Sequence, residues 1–408
     1  MIGHNNISAA KVRGYRNEAP FVCPTFFLYL HHSFIHMPDS RKTIINSRTI
    51  EKRHFEMFDT FRFFAFLKVF LQHVPVFAFA WFNIFRNGGI IGVQFFFTLS
   101  GFLITYIILN EKNQTGTYSL KNFFVRRILR IWPLFYLMVG ISYCIPWILS
   151  LLHQHKEMYG YQPVWWVSVS FLENYKMIFT HKPPSEEELA LLWSLCVEEH
   201  FYIIWGLLLW ILPVKAFPKV AGCCLLIALV ARGVFAHYNL DPTDVFTNLD
   251  LFALGSIPAY LLVFHSEQTE AFVSRIPRYV HMLFAAALVA YVLLIAQIDH
   301  VLTVNIWLTT LSGILFSTLI FFSMHDNHYL RPSRLLNKAG TYTYGLYVYH
   351  ILIIVLMVRI FDHLHLSLDK PVNAIIYTVA ALTATVICSI TSYHFFEKPF
   401  LKMKRFFR

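Results

Sequence analysis

Charged side chains are scarce in this sequence. They make up 14% of its 408 residues, whereas soluble globular domains usually contain about 25%. Hydrophobic residues account for 57% of the chain, and the mean hydropathy is +0.52. This composition excludes an ordinary soluble protein and predicts an all-α polytopic membrane protein, because helices satisfy their own backbone hydrogen bonds within lipid.

The sequence also lacks the cysteine patterns of metal sites and disulfide frameworks. Its six cysteines form no Cys-x-x-Cys pair and no ligand cluster, and five of them lie in or beside apolar runs. We therefore expect buried thiols and no metal site. No permanently bound cofactor is expected either.

No nucleic-acid-binding motif accompanies the net charge of +11. The basic residues are spread over the segments between apolar runs, so membrane topology explains them better than nucleic-acid binding.

A signal peptide is not recognisable. The apolar patch Phe26 to Phe34 is too short to span a membrane, and no small-residue cleavage site follows it. Residues 1–57 are predicted to be a cytoplasmic tail. Internal repeats are also missing, so residues 58–400 are predicted to form one integral membrane domain, followed by a basic tail at 401–408.

Ten apolar runs are long enough to cross a bilayer, for which about 17 to 25 residues are needed. A further run, residues 165–175, is short and is expected to lie at the interface or to re-enter the membrane. Counting it as a span would reverse the orientation of everything that follows. The ten predicted spans are residues 63–82, 89–109, 131–152, 193–212, 220–237, 248–264, 279–297, 303–323, 342–361 and 374–394.

Lysine and arginine are distributed unevenly between the two sides of this arrangement. With a cytoplasmic N-terminus, most of the 34 lie in the inner segments, as the positive-inside rule predicts. We therefore predict a multi-pass protein of the cell (inner) membrane with both termini in the cytoplasm. The outer segments contain only Arg86, Lys156, Lys176, Lys182 and Lys370.

Three ionisable residues interrupt the first apolar stretch: Asp59, Arg62 and His73. Arg62 and His73 are eleven residues apart, which on an α-helix places them on one face, about 16 Å apart along the axis. Ionisable residues within a span usually face a bundle interior or a wet cavity, so both are candidate functional residues. The alternative is a histidine packed in the core and an arginine that extends its charge to the interface.

The next two spans contain small residues and arginines. Ser100 and Gly101 would let another helix or a ligand approach the backbone closely. The segment FFVRRILR places three arginines just before the third predicted span, and Pro133 suits the first turn of that helix. On a helix these guanidinium groups can converge and bind phosphates, although anchoring at the inner membrane face is the alternative. The three are Arg126, Arg127 and Arg130.

The later spans contain further polar candidates. Glu198 and Glu199 lie near the outer end of the fourth span, close to Tyr202, where they could orient a catalytic histidine or accept sugar hydroxyls. A favourable position at a helix start would account for only one of the two glutamates. Tyr347 shares a face of the ninth span with Tyr344, and His350 follows; an aromatic belt is the alternative for the tyrosines. Pro399 is expected to end the last helix.

Together, and in this order, these motifs resemble the integral membrane acyltransferases of family 3, the O-antigen acetylase type that O-acylates extracytoplasmic carbohydrates. The resemblance extends from Phe58 to about Phe400, and Lys68 in mid-span is a departure from it. The matching motifs are D-x-x-R and R-x10-H at Asp59, Arg62 and His73, G-V-x-F-F-x-x-L-S-G-F-L at 92–103, R-x-x-R at Arg127 and Arg130, W-S-L-x-V-E-E-x-F-Y at 193–202, T-Y-x-x-Y-x-x-H at 343–350 and E-x-P at 397–399.

The resemblance implies a polytopic enzyme that joins cytoplasmic acyl-coenzyme A, most commonly acetyl-coenzyme A, to a hydroxyl of a carbohydrate or glycolipid outside the cytoplasm. Arg127 and Arg130 would hold the coenzyme phosphates, and Arg62 would guide the acyl-carrying arm. His73 would act as general base or transient acyl acceptor, oriented by Glu198. The other expected substrate-binding residues are Asp59, Ser100, Glu199, Tyr202, Tyr347 and His350.

Two other functions fit parts of the sequence. A transporter or flippase for glycan or lipid precursors also has many spans with intramembrane charges, but the paired interrupted half-helices typical of such carriers are not visible. A membrane glycosyltransferase would need acidic residues on an outer loop. The run Glu186 to Glu188 is one candidate, although such a run is more often a solvated surface. The sequence specifies neither the acceptor nor the oligomeric state.

Overall fold

The computed structural model describes residues 55–151, 160–298, 306–325 and 333–407. The predicted patch at 26–34 and Cys23 lie outside these residues. The described chain contains many helices and no strand, and a single bridge joins Tyr161 to Pro184. The α-helices are α1 Glu56–His73, α2 Asn83–Arg86, α3 Ile90–Thr115, α4 Leu120–Leu151, α5 Trp165–Val169, α6 Glu173–Thr180, α7 Glu187–Leu191, α8 Trp193–Ile211, α9 Phe217–His237, α10 Leu249–Phe264, α11 Ser266–Arg275, α12 Arg278–Ile298, α13 Ile306–Ser323, α14 Arg334–Thr341, α15 Thr343–His363, α16 Pro371–Ser392 and α17 Lys398–Met403.

Nine stretches of the described residues have the length and composition to cross a membrane, and each overlaps a predicted span. The all-α polytopic membrane fold is therefore confirmed. The short run at 165–175 forms α5 and the start of α6, neither of which is long enough to cross. The nine stretches are Ala80–Thr115, Leu120–Leu151, Glu187–Ile211, Val214–His237, Phe246–Phe264, Arg278–Ile295, Ile306–Ser323, Thr343–His363 and Pro371–Phe407.

The first predicted span, residues 63–82, has the wrong bounds, and the helix found there, α1, is not among the nine stretches, so the described residues give nine candidate spans instead of ten. Helix α1 begins at Glu56 and ends at His73, because Pro75 disfavours a helical conformation for Val74, which is extended. A short 3₁₀ helix at Ala80–Phe82 and α2 follow. The Lys68 ammonium donates a 2.9 Å hydrogen bond to the Phe85 carbonyl, which holds this connection against α1.

The arginine segment before the third predicted span is not separate from it. Helix α4 runs without interruption from Leu120 to Leu151, and Pro133 lies inside it instead of in its first turn. Membrane helices tolerate such prolines when neighbouring groups bond the carbonyls that proline leaves without partners. Close to this proline, the Tyr344 hydroxyl donates a 2.6 Å hydrogen bond to the Ile131 carbonyl, which joins α15 to α4; the carbonyl that Pro133 leaves without a helical donor is that of Leu129.

Helix α3 packs against α1 on one side and α10 on the other, through glycines. A Cβ atom on Gly92 would lie 2.4 Å from the carbonyl oxygen of Ala65, and one on Gly101 would lie 2.1 Å from that of Phe252. Both distances are shorter than any van der Waals contact. The helices can approach this closely only because these positions lack a side chain, as expected for Gly101.

The connection between α4 and α8 encloses a buried carboxylate. Glu173 is 1% exposed and accepts hydrogen bonds from the hydroxyls of Tyr161 and Ser168. Burial and the neighbouring carboxylate raise the pKa of Tyr161, so its hydroxyl stays protonated and donates. These bonds fix the short helices α5 and α6 next to the bundle.

Two expectations about exposure are wrong. Glu186 and Glu188 are buried and only Glu187 is exposed, because the short helix α7 packs against α4 and α15. Of the cysteines, Cys144 and Cys223 are exposed instead of buried. They lie on faces of α4 and α9 that are not covered by protein, where an apolar environment suits a thiol.

A buried ion pair joins α9, α10 and α13. The Arg232 guanidinium donates two hydrogen bonds to the Asp250 carboxylate, of 2.8 and 2.7 Å, and both side chains are almost fully buried. Thr310 donates a 2.6 Å hydrogen bond to the same carboxylate. The pair lies between helices that do not carry the predicted site, so we interpret it as structural.

The last membrane helix does not stop at Pro399. Residues Tyr393–Glu397 form a π-helix, and α17 continues directly from it, with Pro399 in its first turn. Residues 401–407, assigned to the basic tail, pack against α4, where Arg126 donates a 2.8 Å hydrogen bond to the Phe407 carbonyl. The inserted turn is of the kind often found at functional sites in membrane and soluble helices.

Candidate active site

Helix α1 supplies both ends of the candidate site. The Arg62 guanidinium donates to the carboxylate of Asp59, one turn earlier on the same face, and Asp59 is buried. Helix α14 packs over this turn, where Gly340 approaches the Asp59 carbonyl so closely that a Cβ atom would lie 1.9 Å from it. His73 ends the helix, on the face predicted from the spacing.

Glu198 is held by two hydroxyl groups. Ser100 of α3 donates a 3.0 Å hydrogen bond to one carboxylate oxygen, and Tyr202 donates a 2.8 Å hydrogen bond to the other. Glu199 points elsewhere and accepts a 3.2 Å hydrogen bond from the Trp132 indole of α4. Both glutamates therefore lie inside the bundle, at the contact between α3, α4 and α8.

The arginines of α4 surround this contact. The charge of Arg127 acts on Glu198, Glu199 and Tyr202, and that of Arg130 acts on Glu198. Arg130 also faces Arg62, a like charge, and its side chain is exposed although it lies well inside a long apolar helix. The Nε atom of Arg127 is buried and has no hydrogen-bond partner among the described residues. Arg62 and Arg130, two like charges that face one another, favour an anionic ligand between them.

The opposite end of α1 opens into a pocket of about 370 Å³. His73 lines it together with Trp193 and Tyr347. The His73 Nδ1 atom lies 2.9 Å from the Val69 carbonyl oxygen and 3.4 Å from Nε2 of His350. The polar groups that share the pocket wall are Gln72, Ser185 and Glu187.

Tyr347 connects the pocket to the polar cluster. Its ring lines the pocket and lies 5.7 Å from the imidazole of His350, measured between ring centroids. Its hydroxyl shares a 2.6 Å hydrogen bond with Ser194 of α8, and Glu198 acts on it electrostatically. The residues predicted from separate motifs therefore form one continuous group inside the bundle.

One predicted pairing is not seen. Both oxygens of Glu198 bind Ser100 and Tyr202, and the carboxylate whose charge acts on His73 is that of Glu187. These contacts do not support the hypothesis that Glu198 orients the imidazole. Sequence reasoning missed Glu187 because it interpreted the acidic run as solvated surface.

Glu397 is a second residue that the predicted site did not include. It is buried, and the charge of Arg130 acts on it. The E-x-P motif was the available signal, but only the π-helix explains why this carboxylate faces inward. With Glu397, carboxylates from α8 and from the segment after α16 face Arg130.

Comparison with known proteins adds relatives to this geometry. The family model described as an acyltransferase domain matches residues 56–394. A putative peptidoglycan O-acetyltransferase of Bacillus subtilis is 30% identical over 379 residues, which cover 86% of this chain and 56% of that protein. The peptidoglycan O-acetyltransferase of Listeria monocytogenes is 27% identical over 376 residues, again 86% and 56% of the two chains.

A putative O-acetyltransferase of Staphylococcus aureus is 26% identical over 340 residues, covering 78% of this chain and 53% of the relative. The chain thus spans just over half the length of these curated relatives. No solved structure matches it.

Proposed function

Since this chain belongs to the acyltransferase domain family, we propose that it transfers an acetyl group from acetyl-coenzyme A to a hydroxyl of a cell-envelope carbohydrate across the membrane. Peptidoglycan is the first acceptor to test, because two of the relatives are named for its O-acetylation. Acetyl is likewise the acyl group that their names state.

The observation that supports this proposal most is the arrangement of two unlike sites at the two ends of α1. Arg127 and Arg130 lie at one end, where the side chain of Arg130 is exposed, and a histidine in a pocket lies at the other. Convergent guanidinium groups bind phosphates through paired hydrogen bonds, and a neutral imidazole is a suitable base for a hydroxyl. A thioester on a phosphate-bearing carrier and an alcohol are the two substrates that this pairing fits.

In the proposed orientation the arginine end faces the cytoplasm and the pocket faces outward. Arg127 and Arg130 bind phosphates of the coenzyme, and Arg62, fixed by Asp59, positions the pantetheine arm along α1. The acceptor sugar enters the pocket beside Trp193, whose ring gives it an apolar face to stack on. Gln72, Ser185 and Glu187 offer hydrogen-bonding groups for its hydroxyls.

The chemical step is a single acyl transfer. His73 takes the proton of the acceptor hydroxyl while the hydroxyl oxygen attacks the thioester carbonyl carbon. The new C–O bond forms, the C–S bond breaks, and the imidazolium returns its proton to the departing thiolate. A variant of this step in which His73 itself is acylated first needs the same residues in the same places.

Incubation of membranes with labelled acetyl-coenzyme A tests the proposal directly. Wild-type protein should move label onto a carbohydrate fraction. The activity of His73→Ala should be about 10² to 10⁴-fold lower, which is the usual effect of removing a general base. The variant should remain folded. Tyr377→Phe is the matched control, because it removes one buried hydrogen bond, to the Ile354 carbonyl, away from the site.

Full activity in His73→Ala would show that this histidine is not the base. Absence of label on carbohydrate in every variant, with uptake of a glycan or lipid precursor in its place, would favour a transporter.

A further inference from the structure

His350 is buried completely in the contact between α15 and α1. Its side chain is 0% exposed and lies against the rings of Phe66 and Phe70, with centroids 5.9 and 6.4 Å away. Water therefore cannot complete its hydrogen bonds. The protein atoms around its ring therefore determine which of the two ring nitrogens carries a proton.

Two backbone carbonyls fix the Nδ1 protons of both histidines. Nδ1 of His350 lies 2.6 Å from the carbonyl oxygen of Tyr347, and Nδ1 of His73 lies 2.9 Å from that of Val69. A carbonyl oxygen only accepts hydrogen bonds. Each Nδ1 atom must therefore carry a proton and donate it.

The contact between the two imidazoles then allows only one arrangement of their protons. Nε2 of His350 lies 3.4 Å from Nδ1 of His73. Because His73 Nδ1 carries a proton, Nε2 of His350 has to accept, and a proton on it would place two N–H groups face to face. His350 is neutral in this arrangement, and His73 shares its Nδ1 proton between the Val69 carbonyl and His350.

We propose that His350 is a positioning residue that, together with the Val69 carbonyl, holds His73 in the Nδ1–H tautomer, so that the lone pair at Nε2 is the one available to the acceptor hydroxyl. This inference rests on the proposed function, which makes His73 the base. In water a neutral imidazole prefers the opposite tautomer, so the site has to impose this one. Complete burial makes this role fit His350 better than the substrate contact expected from sequence.

The tautomer can be measured without an activity assay. Nitrogen-15 NMR of histidine-labelled protein distinguishes protonated from unprotonated ring nitrogens, and the signals of His73 are those that vanish in His73→Gln. We expect Nε2 of His73 to be unprotonated in the wild type. In His350→Leu the tautomer should shift towards Nε2–H, whereas His350→Gln, whose side-chain oxygen can accept in the same place, should preserve Nδ1–H.

The rate of acetyl transfer should fall in the variants in which the tautomer of His73 changes. For His350→Leu we expect kcat to fall on the order of tenfold, as for one lost hydrogen bond, with KM for acetyl-coenzyme A unchanged. His350→Gln should recover most of kcat, which a purely packing role would not predict. Tyr377→Phe again serves as the control for a lost buried hydrogen bond.

A wild-type His73 with its proton on Nε2 would overturn the inference, and this outcome needs only the His73→Gln protein that assigns the signals. An unchanged tautomer in folded His350→Leu would also overturn it. If the tautomers shift as expected but no form of the protein transfers acetyl groups, the proposed function fails and the proton arrangement stands, so the two failures are distinguishable.

Discussion

The three arginines of α4 differ in what holds them. Arg126 donates to the Phe407 carbonyl and pairs with Glu111 at 3.3 Å, which ties the end of the described chain to the helix. Among the described residues, no backbone carbonyl or ion pair of this kind is seen for Arg127 or Arg130; Arg127 lies over the Phe123 ring, and both charges act on the polar cluster. Spacing in the sequence indicated convergence but could not separate the anchoring arginine from the other two.

We therefore expect Arg127→Lys and Arg130→Lys to raise KM for acetyl-coenzyme A by about 10-fold or more, because lysine keeps the charge but loses paired hydrogen bonds. Arg126→Lys is the matched variant on the same helix and should leave this KM near the wild-type value. The measurement is initial rate against donor concentration in membranes. Equal effects at all three positions would contradict a phosphate-binding role.

Substitutions of Glu187 and of Glu198 should likewise lower kcat by different amounts. Glu187 is exposed in the pocket wall and acts on His73 through space, so Glu187→Gln should lower kcat only severalfold, as weak exposed charge pairs do. Glu198→Gln alters a partly buried carboxylate held by two hydroxyls and should lower kcat more than Glu187→Gln does. Comparing kcat for the two variants at one pH checks this order, and the reverse order would show that Glu187 contributes more to the chemical step than Glu198.

At the scale of helices, the sequence predicted the bounds of those helices whose ends coincide with a change in polarity. Helix α8 lies within one residue of its predicted bounds. Helix α1 does not, because the apolar run continues past Pro75 while the backbone leaves the helix there. The polar motifs are visible in the sequence, but which of their side chains meet depends on helix packing. The turn at Tyr393–Glu397 had no signal in the periodicity.

The close approach of α3 and α10 gives a test at this scale. Gly101→Ala would place a methyl group 2.1 Å from the Phe252 carbonyl oxygen, so we expect a loss of about 1 to 3 kcal/mol in the free energy of unfolding. Gly140→Ala is the control, because a Cβ atom there meets nothing within 4 Å. Thermal unfolding in detergent measures both. Equal midpoints would show that the contact is looser than described.

For the whole molecule, the described helices divide into a group that carries the site and a group that supports it. Helices α1, α3, α4, α8 and α15 contribute the candidate residues, whereas the Arg232–Asp250 pair joins α9, α10 and α13. Breaking a buried pair by removing one partner typically costs about 3 to 5 kcal/mol, since it leaves the other charge without compensation.

Asp250→Ala should therefore lower the amount of folded protein and its unfolding temperature, while kcat per folded molecule stays close to wild type. The double variant Arg232→Met with Asp250→Leu should recover much of the stability, because it buries no unpaired charge. Size-exclusion profiles and acetyl-transfer rates on the same samples provide the measurement. A fall in kcat per folded molecule would place the pair in the site's machinery.

The exposure of Arg130 has a consequence for the membrane itself. In the proposed orientation, water that reaches this side chain would enter the bundle from the cytoplasmic side and the pocket at His73 would open on the other, so the insulating layer between them would be thinner than the surrounding bilayer. Aromatic rings occupy that layer, among them Tyr347 and Phe96, whose centroids are 6.0 Å apart. These rings would leave only a short distance for the acetyl group to cross. They would also block the flow of ions down the membrane potential.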